Sequence, residues 1–180
     1  MTENLDTFRI NEDEIMRYYG YTGIGGRWKL RIKLFRSWLL HSLAYSSPHP
    51  SFAIAMQRAR GVEIGKNCHI SPYVQIDLLY PNMVKIGDNV TIGSNTMIFA
   101  HSNMPTNLSL KKGDYARKVA PVIIESGAWI NPGCIITAGL TIGKNSILAV
   151  GSVATEDVPD SCVVVGNPAR VIKKLTNLGD

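Results

Sequence analysis

"KIGDNVTIGSNTMIFAHSN", residues 85–103, decides the fold. Isoleucine returns at every sixth position, Ile86, Ile92 and Ile98, and the rhythm stops just before His101. The same spacing gives Ile64, Ile70 and Ile76 upstream, and Ile124, Ile130, Ile136, Ile142 and Leu148 downstream. Position i+1 is repeatedly small or polar, as at Gly65, Ser71, Gly87, Gly93, Asn131 and Gly143. Position i+4 is small or β-branched, as at Cys68, Val74, Val90, Thr96, Ala128, Cys134, Ser146 and Ser152. Neither the helical period of about 3.6 nor the strand period of about 2 generates this recurrence. A parallel β-helix does. Three short strands make one triangular coil of about 18 residues, and each strand stacks on its equivalent in the next coil. The aliphatic at i and the small side chain at i+4 then point inward, while glycine and asparagine take corners where positive φ is cheap. No coil buries its own face alone, so the core is continuous only through stacking.

The period breaks twice. From Ile76 to Ile86 is ten residues, so a short segment around LLYP bulges out. From Ile98 to Ile124 is 26 residues, which leaves about 20 in a loop over residues 102–121. So long a loop inside a regular solenoid is more often functional than not. The ends of an open β-helix expose strand edges and need covers. We therefore expect an all-β, parallel β-helix domain of about five coils over residues 61–173. A largely helical capping segment over 1–60 precedes it, and a C-terminal tail over 174–180 follows.

Bulk composition narrows the function. A hydrophobic content of 45% with 18% charged residues fits a globular domain and excludes disorder. The net charge of +5 is unevenly placed. Residues 27–60 carry seven basic and no acidic side chains, whereas residues 61–180 carry ten and nine. A nucleic-acid groove along the whole domain is thus not expected. Cys68, Cys134 and Cys162 are odd in number and lack a CxxC pair, which suits a reducing cytoplasm and a packing role. The opening MTENLDTF has no signal-peptide character, and SWLLHSLAY is too short to span a bilayer. We expect a cytoplasmic protein.

The basic stretch RWKLRIKLFRSWLLHSL alternates at its start as a strand would, yet Trp28, Ile32, Phe35, Leu39 and Leu43 fall on one helical face. Its length and its leucine, lysine and arginine content favour a helix. That face has two readings. It packs as a cap on the end of the β-helix, or residues 27–45 lie against an anionic membrane surface.

The stretches IGDNVTIGSNTMIFAH, INPGCIITAGLTIGKNSILAVGSVATEDVP and VVVGNPARVIKKL resemble the hexapeptide-repeat acyltransferases. The resemblance covers about residues 60–174, and GVEIGKNCHISPYVQIDLLYP is most similar to the sugar O-acetyltransferases of capsular and lipopolysaccharide biosynthesis. It implies a left-handed β-helix, an exception to the usual right-handed crossover. It also implies a homotrimer with acetyl-coenzyme A, the co-substrate, held in clefts between subunits. His101 matches the family's catalytic histidine, and Asp77 an acidic position that contacts the acceptor sugar in relatives. Arg170 and Lys173 match basic positions near the cofactor's phosphates. Where relatives have an assisting asparagine this chain has Ser71, Pro72 and Tyr73, and a lysine after the VT motif is replaced by Glu156.

Within its hexad His101 occupies i+3, an outward position. Imidazole, with an ordinary pKa near 6.5, can take a proton from an acceptor hydroxyl as that oxygen attacks the thioester. Asp77 either orients the acceptor or His101, or is a turn aspartate before the bulge. Candidate acceptor contacts are Asp77, Tyr73 and Asn103. Candidate cofactor contacts are Trp129, Ala138, Val150, Thr155, Arg170 and Lys173, with Trp129 also suited to a subunit interface. Lys111, Lys112, Arg117 and Lys118 in the long loop either attract an anionic ligand or are simply solvated. His69 reads as a surface residue. Neighbouring strand side chains such as Cys68 and His69 face opposite ways and cannot share an ion, so no metal is expected. The expected reaction is acetyl transfer from acetyl-coenzyme A to a sugar hydroxyl. The alternatives are N-acetylation of a nucleotide-linked amino sugar and a non-catalytic scaffold.

Overall fold

The computed structural model describes residues 7–102, 110–111 and 115–176. Its repeats form three parallel ladders. The first stacks β1 (Glu63–Ile64), β4 (Val84–Ile86), β7 (Val122–Ile124) and β10 (Thr141–Ile142). The second stacks β2 (His69–Ile70), β5 (Thr91–Ile92), β8 (Trp129–Ile130), β11 (Ile147–Leu148) and β13 (Cys162–Gly166). The third stacks β3 (Gln75–Ile76), β6 (Met97–Ile98), β9 (Ile135–Ile136) and β12 (Val153–Ala154). Four coils are thus complete among the described residues, and β13 opens a further one on a single face. An antiparallel strand, β14 (Ala169–Lys174), closes that edge by pairing with β13.

Register explains the sequence period. Ile70, Ile92, Ile130 and Leu148 are direct ladder partners, as are Ile76, Ile98 and Ile136. All of these are buried, and the i+4 residues Val74, Val90, Thr96, Ala128, Cys134, Ser146 and Ser152 fill the space between layers. Each fully buried aliphatic contributes roughly 1.5–3 kcal/mol relative to exposure. One corner repeats vertically as Asn67, Asn89, Gly127 and Asn145, all at positive φ. There the Asn67 amide donates to Asn89 Oδ1 at 2.8 Å, and a Cβ on Gly127 would lie 2.0 Å from Asn145 Oδ1. The three cysteines are free thiols; Cys134 and Cys162 are buried and Cys68 is partly buried.

Three helices precede the coils: α1 (Thr7–Tyr18), α2 (Gly23–Tyr45) and α3 (Pro50–Arg60). Pro50 occupies the first turn of α3, and Gly61, at φ 109°, ends it. Helix α3 rests on β1 and β2, and α2 on α3 and β3, so both lie over the first coil. None of the described helices is long and apolar enough to cross a membrane.

The orientation of α2 differs from the capping reading. Its buried face is Gly26, Leu30, Ser37, His41 and Ala44, small or polar residues for the most part. Trp28, Ile32 and Phe35 are 62%, 65% and 62% exposed, and Leu39 and Leu43 are exposed beside them. Small residues let α2 approach α3 and the coil closely, which the larger side chains of the opposite face would prevent.

A buried polar cluster fixes this junction. Arg60 donates to Gln57 Oε1 at 2.6 Å, to the Asp77 carbonyl at 2.6 Å and to Ser37 Oγ at 3.2 Å. It also donates to His41 Nδ1 at 3.0 Å. Guanidinium is a donor only, so Nδ1 must accept and the imidazole is neutral. Burial, reinforced by the Arg60 charge, lowers the His41 pKa to about 4. Burial also lowers that of Arg60 to about 10, against the pull of the Asp77 charge.

Candidate active site

The site forms where the ladder β3–β6 meets the two interruptions of the repeat. Ile76 and Ile98 are direct partners, so the residues that follow them leave the ladder side by side. Asp77 Oδ2 accepts from His101 Nδ1 at 2.5 Å and from the Ala100 N–H at 2.8 Å. Its Oδ1 accepts from the N–H groups of Leu79 and Tyr80, each at 2.9 Å. Asp77 is therefore both the turn aspartate that shapes the bulge and the partner of His101.

Asp77 is buried, which alone would raise its pKa. The hydrogen bonds from His101, Tyr80 and Ala100, with the charge of His101, outweigh burial and hold it below the usual carboxylate value. An ionised carboxylate can only accept, so the proton shared with His101 sits on Nδ1. In the neutral form of the ring this tautomer puts the lone pair on Nε2.

His101 is more enclosed than an outward i+3 position implies, its side chain only 9% exposed. Tyr80 explains this. Fully buried, it sets its ring edge-on to the imidazole at 5.3 Å. Its hydroxyl accepts from Arg117 Nη1 at 2.8 Å, and Arg117 pairs with Glu14 of α1 at 3.3 Å. Lys111 pairs with the same Glu14 at 2.8 Å. Two of the long loop's cations thus tie it to α1 rather than to a ligand. The loop stems also zip together: Ser102 N–H donates to the Lys118 carbonyl at 2.9 Å, and Ala120 N–H to that of Ala100 at 3.0 Å.

His101 opens onto a cavity of about 320 Å³ lined by Phe99, Ser102, Lys118, Thr137 and Ala138. Ala138 is thereby joined to His101, and Lys118 is the loop cation that lines this cavity. Thr137 went unnoticed in the sequence, although Asp77, Phe99 and Thr137 each follow a ladder isoleucine and so occupy one column of successive coils. Tyr73 lies elsewhere, exposed at φ 66° with its ring 5.5 Å from Tyr45 at the end of α2. Trp129, Val150 and Thr155 are exposed on or beside β8, β11 and β12 and do not line the cavity. Arg170 and Lys173 stand on β14, and Glu156 sits 3.6 Å from Arg170, so the departure at 156 is matched by an exposed ion pair. His69 is exposed on β2, away from the site. Asn103 and Lys112 lie outside the described residues. Among the described residues no group of three or more histidine, cysteine or acidic side chains could hold a metal ion.

Residues 83–100 match the family described as the hexapeptide repeat of succinyl-transferase. A galactoside O-acetyltransferase of Lactococcus lactis subsp. lactis is 34% identical over 117 residues, covering 65% of this chain and 53% of its own length. A solved galactoside acetyltransferase in complex with coenzyme A superposes with a TM-score of 0.62 at 26% identity, over 82% of each chain. In sequence and fold the chain is similar to the hexapeptide-repeat acetyltransferases. A hexapeptide-repeat acetyltransferase of Vibrio cholerae, solved with acetyl-coenzyme A, shares the fold with a TM-score of 0.67 at 24% identity. It covers 82% of this chain and 89% of that one. These hexapeptide-repeat neighbours imply the left-handed β-helix that the resemblance led us to expect. The chain spans about half the length of the curated relatives it matches.

Proposed function

We propose that the chain is an acetyl-coenzyme A-dependent O-acetyltransferase acting on a sugar hydroxyl, with His101 as its general base. The Asp77–His101 pair, whose histidine lines the cavity, carries this reading. Nε2 of His101 takes the acceptor's hydroxyl proton as that oxygen forms its bond to the acetyl carbonyl carbon. The carbon–sulfur bond then breaks, and the imidazolium returns the proton to the departing thiolate. Asp77 stays ionised throughout, keeping Nδ1 protonated and stabilising the imidazolium.

The residues present fit such a reaction. The cavity of about 320 Å³ lies in the range of small-molecule sites, roughly 300–1,000 Å³, which is room enough for the reacting ends of both substrates. It is too small for a whole coenzyme, which must run on along the surface. Lys118 supplies positive charge at the wall, and Arg170 and Lys173 supply it on β14. The reading includes a homotrimer, in which a neighbouring subunit completes the open side of the cleft. It also includes a cytoplasmic enzyme of capsular or lipopolysaccharide biosynthesis working at the inner membrane face.

Thiol release from acetyl-coenzyme A across a panel of sugars, wild type beside His101→Ala, tests the proposal. Turnover should fall roughly 10²–10⁴-fold with the circular dichroism unchanged. Equal turnover in both proteins removes His101 from the reaction. An ester product is cleaved by mild alkali and an amide is not, so product lability separates O- from N-acetylation.

A further inference from the structure

Helix α2 has two unlike opposite faces. One is buried against α3 and the first coil; the other carries Ile24, Trp28, Ile32, Phe35 and Leu39 in a solvent-exposed stripe. From Ile24 to Leu43 the stripe runs roughly 30 Å at about 1.5 Å per residue. Cations occupy the seams between the faces. On one seam Arg27 and Arg31 are matched by Asp13 and Glu12 of α1, at 2.9 and 3.0 Å. On the other, Lys29, Lys33 and Arg36 have no carboxylate in ion-pair range among the described residues. Lys33 stands 4.5 Å from the Tyr19 ring centroid, and Arg36 donates to the Ala59 carbonyl.

That second seam is also the wall of a cavity. A space of about 360 Å³ lies between α2 and the Leu78–Pro81 bulge, lined by Lys29, Lys33, Arg36 and Arg60 with Tyr19 and Ile32 among its apolar walls. Among the described residues no carboxylate lines it. Ile32 belongs both to this wall and to the exposed stripe, so the cationic hollow and the apolar strip are contiguous.

We infer that this face of α2 lies on an anionic bilayer, with its apolar stripe at the acyl boundary and a lipid phosphate in the Lys29–Lys33–Arg36 hollow. A surface apolar along one line and cationic beside it matches an anionic phospholipid, which offers the same two chemistries side by side. Trp28 and Trp38 suit the headgroup level, where an aromatic body can stay half wet. A second copy of the chain is a poorer occupant. Residues 27–60 carry seven basic and no acidic side chains, so self-apposition would set like charges together. This site refines the location proposed above, and its test does not depend on acetyl transfer.

The experiment is co-sedimentation of the full chain with phosphatidylglycerol–phosphatidylcholine vesicles, against phosphatidylcholine alone, with particle mass followed by light scattering. The wild type should bind the anionic vesicles at low salt and leave the neutral ones unbound. Lys29→Gln with Lys33→Gln should weaken binding roughly thirtyfold, at the usual worth of a basic residue near an anionic surface. Trp28→Ser with Phe35→Ser should weaken it as strongly, and since both side chains are exposed the fold should persist. Failure to bind, or binding indifferent to both pairs, overturns the inference. So does a stripe variant that lowers the particle mass, because the stripe is then an interface between copies.

Discussion

Four donors converge on the Asp77 carboxylate, two on each oxygen, and that count makes its replacement informative. An asparagine there must turn its amide nitrogen toward one of the two pairs, so donor meets donor wherever it points. Facing the Leu79 and Tyr80 N–H groups, it breaks the turn that shapes the bulge. Facing His101, it forces Nδ1 to accept and moves the ring proton to Nε2, removing the base. Asp77→Asn should therefore lower turnover about 10²–10⁴-fold with KM for either substrate little changed. Unfolding free energy should fall by about 1–3 kcal/mol through the lost hydrogen bonds. Steady-state kinetics and urea denaturation read the two effects separately, and wild-type turnover in this variant would rule out the assigned tautomer. The sign with pH follows from the lowered carboxyl pKa. Its contribution to stability is present above the ordinary carboxylate value and is lost as acid is taken below it, a slope that Asp77→Asn should lack.

At the scale of the coil, two glycines separate two causes. Gly87 has an ordinary φ, yet an added Cβ would lie 2.6 Å from the backbone nitrogen of Ser126 in the coil above. Gly151 has φ 69° and open space around it. Gly87→Ala must push two coils apart and should cost about 1–3 kcal/mol or more. Gly151→Ala meets only backbone strain and should cost about 1–2 kcal/mol, most of it recovered by Gly151→Asn. Denaturation midpoints of these three variants and of Gly87→Asn decide it, and a Gly87→Asn more stable than Gly87→Ala would contradict the spacing argument. The ladders were legible in the sequence because register forces equivalent side chains into one column, and a column becomes a period once read along the chain. Asp77 beside His101 was half legible, since the break after Ile76 and the break after Ile98 fall at paired strands. The Tyr80–Arg117–Glu14 chain was not, because nothing local relates residues so far apart. The orientation of α2 misled for a different reason. A helical period reports that apolar residues share a face, not that this face is the buried one, and here small and polar residues take the buried side.

At the scale of the whole chain, one of the contacts that join the helices to the β-helix is a buried cation held by neutral partners, and that arrangement depends on pH. His41 accepts from Arg60, so protonating it would set two positive charges 3.0 Å apart away from water. Its pKa is lowered from 6.5 to about 4, chiefly by burial. The unfolded chain therefore takes up this proton first. Stability is unaffected above about pH 6.5, declines as the pH falls toward 4, and levels off below that. The full loss is about 3 kcal/mol, a large part of the margin of an ordinary domain. Arg60 also holds the Asp77 carbonyl at 2.6 Å, so loosening the junction in acid should disturb the catalytic pair as well as the helices. His41→Asn keeps an acceptor for Arg60 and cannot be protonated. Urea denaturation of the two proteins from neutrality to about pH 5 should show the wild type losing stability and the variant holding nearly level. Parallel declines would mean that the acid sensitivity lies elsewhere and that the junction is not what acid loosens first.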